Sequence, residues 1–438
     1  MSVAPLACEA PRDGLGVNAP QLPNLSVPQP TRGAFLGVWG PRSTSTMLPL
    51  SNVTSDVSSD VLGEDRVWFV GGAKGARGEE DTSLIAVYTR EERERPQELR
   101  EPSGALSLHY EMPGGPLWWV WGSGARGEVW AVGEGGAIWS LDESGDDALW
   151  RRERVYLDPH DSSDTELEAV EKLILWGVWG ARDSEGALTL WAVGGSVRRG
   201  GPRGVLLRRD QEGQWRRVTH ELFPQESSDD ALTGLNLYKI WGRADQVWIV
   251  GEGGLTLTAT LRERSDRSPG ERLSLEDWQR VELDRPELLF TVTGSSPSAD
   301  PDEASVAYDT WVVGGYDRGR AWRWRDERGS SSNSGWDPLN LPVLPALNGV
   351  HVSTDLVIGV GQRGVISAWH TDIDLTMQGA VAQTWVEGAE QMTLHSVYRD
   401  EYKGYWIVGG DLSTLTEGVI ISPDQWDATR RPIRRTPW

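Results

Sequence analysis

Apolar and polar positions alternate along this chain in short runs broken by glycine-rich turns, and one such run recurs seven times. Trp68-Phe69-Val70-Gly71, Trp130-Ala131-Val132-Gly133, Trp191-Ala192-Val193-Gly194, Trp248-Ile249-Val250-Gly251, Trp311-Val312-Val313-Gly314 and Trp406-Ile407-Val408-Gly409 are close copies. In a further copy, Ile358-Gly359-Val360-Gly361, Ile replaces Trp. A second signature precedes each: Val38-Trp39-Gly40, Val120-Trp121-Gly122, Val178-Trp179-Gly180 and Ile240-Trp241-Gly242, then the degenerate Val292-Thr293-Gly294, Val350-His351-Val352 and Val397-Tyr398-Arg399. After each copy a turn, usually Gly-rich, leads into a third alternating run, such as Ala137-Ile138-Trp139 or Val365-Ile366-Ser367. A fourth segment opens on Trp150, Trp215, Trp278, Trp336, Trp385 or Trp426. Each unit reads strand, turn, strand, Gly turn, strand, turn, strand.

A lone four-stranded meander cannot bury both of its half-apolar faces, whereas copies stacked in a closed ring cover each other. The pattern therefore predicts an all-β fold, a single seven-bladed β-propeller of four-stranded antiparallel blades. The blades fall at approximately 34–106, 107–157, 169–224, 232–284, 287–343, 346–388 and 391–438. Polar insertions at Ser51–Asp65, Asp158–Glu168, Pro224–Asp230, Arg264–Glu271, Ser295–Glu303 and Asp326–Ser334 read as surface loops. Residues 1–33 form a Pro-rich extension that either crosses the ring surface or adds an edge strand to the last blade. The Gly closing each Trp-x-Val-Gly copy serves either a positive φ or close packing.

The Val-Trp-Gly and Trp-Ala-Val-Gly-Glu-Gly-Gly units, clearest at Val120–Gly136 and Ile240–Gly254, resemble the propeller repeats of secreted and surface-anchored bacterial proteins. They are similar also to photosystem II assembly-factor propellers and to the Asp-box repeats of sialidase-like propellers. A degraded Asp-box stands at Ser140–Trp150 with Asp142 and Gly145, and another at Asp210–Trp215 with Gly213. The resemblance implies that these residues fold the turn between strands three and four. It carries a fold and no activity.

A formal charge of −22 disfavours nucleic acid, whose binding depends on Lys and Arg displacing counterions. It favours basic partners. Cys8 is the single cysteine, so neither an intramolecular disulfide nor a paired-cysteine zinc site is available. The stretch from Met1 to Cys8 resembles the stub of a lipoprotein signal, which makes a lipid anchor at Cys8 and an extracytoplasmic location expectations of the sequence. No apolar run is long enough to span a membrane. The basic tail with Arg430, Arg431, Arg434 and Arg435 reads as pairing with acidic neighbours.

Of the 24 Trp, 16 sit at the three recurring positions, which marks them as inter-blade packing with locally satisfied indole N–H groups. Trp118 and Trp119 are adjacent, so in a regular strand they point to opposite faces, while Trp322 and Trp324 share one. The turns after the second strand emerge at one end of the ring. They make Glu134, Glu252, Tyr316, Asp317, Arg318, Gln362, Arg363 and Asp411 the candidate binding residues around one channel mouth. The sequence yields no catalytic constellation, no metal-ligand spacing among its six His and no cofactor motif, so no cofactor is expected. The acidic insert around His160–Glu168 reads as disordered rather than as a calcium loop. The function that follows is a non-enzymatic binding or scaffolding propeller that recognises a protein or glycan through its loop faces. The alternative is a glycan-acting hydrolase or lyase with its site at the mouth, and a structural subunit of a larger assembly is a third reading.

Overall fold

The computed structural model describes residues 29–40, 66–75, 79–90, 104–125, 127–143, 149–158, 164–219, 234–243, 245–267, 272–285, 287–295, 310–325, 335–353, 355–373, 381–400 and 404–423. They form seven separate sheets arranged as a closed ring of antiparallel blades. The innermost strands are Ala34–Trp39, Leu117–Gly122, Ile174–Arg182, Leu237–Arg243, Leu289–Gly294, Leu347–Val352 and Thr393–Arg399. Each touches the next, and the seventh returns to the first. Blade three gains a short parallel fifth strand, Val155–Tyr156, beside Trp215–Arg217.

Closure comes from the N-terminal extension. Gln29–Arg32 pairs antiparallel with Glu417–Ile421 and becomes the outermost strand of blade seven, with Gln29 opposite Ile420 and Arg32 opposite Glu417. The place expected for the segment around Trp426 is thus filled from the other end of the chain. Trp426 itself, the Arg430–Arg435 tail and Cys8 lie outside the described residues, as do the insertions 51–65, 224–230 and 326–334. The outer strand of blade one, Gly104–Pro113, runs past the expected boundary at 106.

All seven inner strands carry a β-bulge at the same place, where the register skips one residue: Leu36, Trp118, Trp176, Tyr238, Phe290, Asn348 and His395. The Gly of each Trp-x-Val-Gly copy pairs with the residue just before the skip, as Gly133 does with Leu117 and Gly314 with Leu289. None of these glycines has a positive φ. A Cβ on Gly314 would instead lie 1.9 Å from the Leu288 carbonyl oxygen, and one on Gly251 would lie 2.1 Å from that of Asn236. The repeat keeps Gly because the bulge presses the inner backbone against the second strand.

The core lies between blades. Trp179 and Trp191 are cross-strand partners stacked at 5.6 Å, and Trp241 stacks on Trp248 at 5.4 Å. Such pairs are buried against the neighbouring blade's Leu, Ile and Val. Three sequence expectations need correction here. Among the described residues the indole N–H groups of Trp130, Trp179, Trp248 and Trp311 have no hydrogen-bond acceptor, because ring edges and aliphatic side chains surround them. Trp385, at the end of its strand, is 48 % exposed and so packs only in part. The acidic insert is ordered over Asp164–Lys172 as an α-helix, whose Glu166 carboxylate accepts the backbone N–H groups of Leu157 and Asp158.

Trp322 and Trp324 are both buried, Trp322 donating to Asp284 Oδ1 at 3.0 Å and Trp324 lying edge-on to Trp336 at 5.1 Å, so the pair is packing. The Asp-box turn at Asp210 folds as the resemblance implied. Its Oδ1 accepts the Gln214 N–H at 2.8 Å, its Oδ2 accepts Arg216 Nε at 2.7 Å, and Gly213 takes φ +76°.

Candidate functional site

Because the second strand of each blade ends beside the start of the inner strand, the turn that follows it and the bulge occupy the same end of the ring. That end is a rim of turns around a collar of bulge residues.

The rim is tied together blade to blade by backbone hydrogen bonds. Gly136 N–H donates to Leu173 O, Gly319 N–H to Leu344 O, Gly364 N–H to Met392 O and Lys74 N–H to Leu415 O, at 2.8–3.2 Å. Each bond runs from one blade's turn to a neighbouring blade, so the turns are fixed relative to one another.

The eight sequence-derived candidates all stand on these turns, in different settings. Glu134 is half-buried, and burial raises its carboxyl above the ordinary range against the pull of Arg198. Glu252 clasps blades three and four: its Oε2 accepts Arg203 at 3.2 Å, Asn236 N–H at 3.2 Å and Asn236 Nδ2 at 3.1 Å. Asp411 closes its own turn by accepting Ser413 N–H and the Ser413 and Thr414 hydroxyls, which hold it at about 2. Gln362 bridges to Thr393 of blade seven. Arg363, beside it, takes φ +58° and lines a shallow hollow of about 470 Å³ with Glu390, Gln391 and Met392. Tyr316, Asp317 and Arg318 are exposed, Tyr316 by 55 %. Glu252 and Asp411 are therefore engaged in holding the rim, while Tyr316, Asp317 and Arg318 of blade five point to solvent.

The collar was not read from the sequence, apart from Trp118. Trp118, Trp176, Tyr238, Phe290 and His395 are all partly exposed between buried chain neighbours, Trp118 excepted, which is followed by the equally half-exposed Trp119. On an innermost strand whose faces are covered by adjacent blades, that exposure is toward the axial channel. The rings meet: Trp176 and Tyr238 at 4.9 Å, Tyr238 and Phe290 at 6.0 Å, and Trp118 and His395 at 5.4 Å. The bulge breaks the strict alternation expected for Trp118 and Trp119. Trp118 turns to His395, and Trp119 turns to Lys239.

Lys239, on the inner strand of blade four, is 5 % exposed. Its ammonium stands 3.3 Å from the centroid of the Trp119 ring and donates to the Trp176 carbonyl at 3.2 Å. Among the described residues no carboxylate pairs with it, and desolvation drives its pKa well down. His395 Nδ1 lies 3.0 Å from the Leu36 carbonyl oxygen, which can only accept, so Nδ1 carries the proton and Nε2 offers a lone pair. Burial and the nearby Lys239 lower this imidazole to about 4. Burial, aided by Glu252, pushes the Tyr238 hydroxyl up to about 12. Asn348 Oδ1 and Ser396 Oγ, on the inner strands of blades six and seven, are buried without a hydrogen-bond partner among the described residues.

One signal in the sequence does mark the collar. The bulge residue always stands two positions before the Val or Ile of the Val-Trp-Gly signature, and that column reads Leu, Trp, Trp, Tyr, Phe, Asn, His.

Among the described residues no group of three or more His, Cys, Asp or Glu side chains is placed to hold a metal ion, and no helix is long and apolar enough to cross a membrane. No family model matches this sequence, and none of the curated proteins does.

Proposed function

We propose that this chain is a non-catalytic binding propeller whose turn-lined channel mouth recognises a protein or a glycan. The observation that carries the reading is the contrast within the rim. Its turns are locked to neighbouring blades by backbone hydrogen bonds, while Tyr316, Asp317 and Arg318 extend into solvent. A rigid frame that presents an exposed Tyr and a charged pair loses little freedom on binding, and Tyr and Arg are the side chains on which recognition surfaces most rely. The aromatic collar adds an apolar floor beneath a polar rim, the usual anatomy of a ligand site.

An extracytoplasmic location, with a lipid anchor at Cys8, belongs to the same proposal and rests only on the resemblance of residues 1–8 to the stub of a lipoprotein signal. The hydrolase or lyase reading has less support. Glu252 Oε2 and the Asp411 carboxylate are engaged in structural bonds, and Asp81, whose charge helps to raise Glu134, is itself held by the Gly75 N–H and Lys74. The test is a glycan array run beside affinity capture from a cell-envelope extract at physiological salt. Selective retention of a glycan or of one protein supports the proposal, and retention of neither contradicts it.

A further inference from the structure

The polar groups lining the channel go beyond what closing a ring requires. A propeller axis can be filled with aliphatic side chains, as Leu36 fills its share at blade one. Among the described residues the equivalent level holds an amine without an acid partner, an imidazole that offers a lone pair, and an amide oxygen and a hydroxyl without partners. They are Lys239, His395, Asn348 and Ser396, drawn from blades four, seven, six and seven. An unmatched buried amine costs stability unless something compensates it, and unpartnered buried oxygens add to that cost. The protein supplies half of the compensation through the Trp119 face and the Trp176 carbonyl. A bound anion supplies the missing half and draws the amine back to its charged form.

The surroundings restrict what that anion can be attached to. Between the rim and Lys239 lie the partly exposed rings of Trp118, Trp176, Tyr238 and Phe290, surfaces that hold flat or puckered rings by stacking. We propose that the channel mouth binds a small ring-bearing carboxylate, its ring against the aromatic collar and its carboxylate paired with the Lys239 ammonium. Asn348 Oδ1 accepts a hydroxyl of the ligand where it has one. Sugar acids and aromatic acids share this chemistry. The inference deepens the mouth-binding reading by naming a ligand class, but it concerns the channel residues and not the exposed rim.

The test uses the full chain with its lysines labelled with ¹³C at Cε. The chain has four lysines, Lys74, Lys172, Lys239 and Lys403, and the ring current of Trp119 sets the Lys239 signal apart from the others. Sodium glucuronate and sodium benzoate are titrated in turn, with glucose and benzyl alcohol as their neutral counterparts. The expected result is a saturable shift of the Lys239 signal alone with at least one carboxylate, at concentrations where its neutral counterpart produces none. Which carboxylate acts separates a sugar acid from an aromatic acid. Calorimetry on Lys239→Met should then show at least ten-fold weaker binding of that carboxylate. No shift with either carboxylate, equal shifts with the neutral compounds, or unchanged affinity in Lys239→Met would overturn the inference. Because the titration needs no variant, it stands if Lys239→Met fails to fold. Macromolecular binding unchanged in rim variants, with the Lys239 response intact, would refute the rim reading alone. A silent Lys239 with rim binding intact would refute this one alone.

Discussion

Lys239 and Trp119 meet across a blade that contributes no side chain between them: the ammonium of blade four reaches the indole of blade two over Gly177 of blade three. The amine is only 5 % exposed, and no carboxylate of the described residues reaches it. Its desolvation opposes folding, so replacing Lys239 by Met, which keeps the apolar stem, should raise stability at pH 7 by about 1–3 kcal/mol. Urea unfolding reads this directly. A variant less stable than the parent would mean that the contact with Trp119 and the Trp176 carbonyl outweighs the desolvation.

His395 gives the channel a pH signature. Its folded value near 4 lies below the ordinary 6.5, so between those values the unfolded chain binds the extra proton. Its contribution is therefore fully present above pH 6.5 and is lost as pH falls toward 4, by up to about 3 kcal/mol. Stability measured across this window should fall less steeply in His395→Gln, which keeps a donor for the Leu36 carbonyl. Identical slopes in the two proteins would remove His395 from the account.

The repeated glycine should be intolerant for a reason unrelated to backbone conformation. Gly314→Ala forces a methyl group to 1.9 Å from the Leu288 carbonyl oxygen and should cost about 3 kcal/mol or more. Gly186→Ala, at φ +84° with nothing within 4 Å, should cost only about 1 kcal/mol from conformation. Thermal unfolding that ranked the two the other way would contradict the bulge argument.

Much of the fold was legible because a propeller repeats its packing. Each Val-Trp-Gly and Trp-x-Val-Gly copy meets the same neighbours, so a pattern seen seven times announces seven equivalent sheets. The site was less legible. The turn residues could be named, but which of them hold the rim depends on contacts between blades, such as that of Glu252 with Arg203 and Asn236, which no local pattern encodes. The collar escaped because a bulge breaks the two-residue alternation on which strand reading depends. Lys239 carries no signal in the sequence, since nothing near it reveals a ring two blades away.

Blades two and three are pinned by Glu153, whose carboxylate accepts Arg209 at 2.9–3.2 Å and the Trp215 indole at 2.6 Å. Glu153→Ala leaves a part-buried guanidinium and an indole N–H without their acceptor and should destabilise by about 3 kcal/mol. Arg151→Ala, whose pair with Asp142 is far more exposed, should change stability by less than about 1 kcal/mol. Chemical denaturation compares them, and equal effects would show that the Glu153 cluster is not holding the blades.

We propose the channel mouth, and not another face of the ring, as the binding surface. Its most direct test is to repeat the glycan array and envelope capture with Tyr316→Ala/Arg318→Ala at the rim and with Arg151→Ala on the outer surface of blade two. Whatever the parent retains should be lost at least ten-fold with the rim variant and kept with the outer one. Retention by the rim variant at parental strength would move the binding surface elsewhere on the ring.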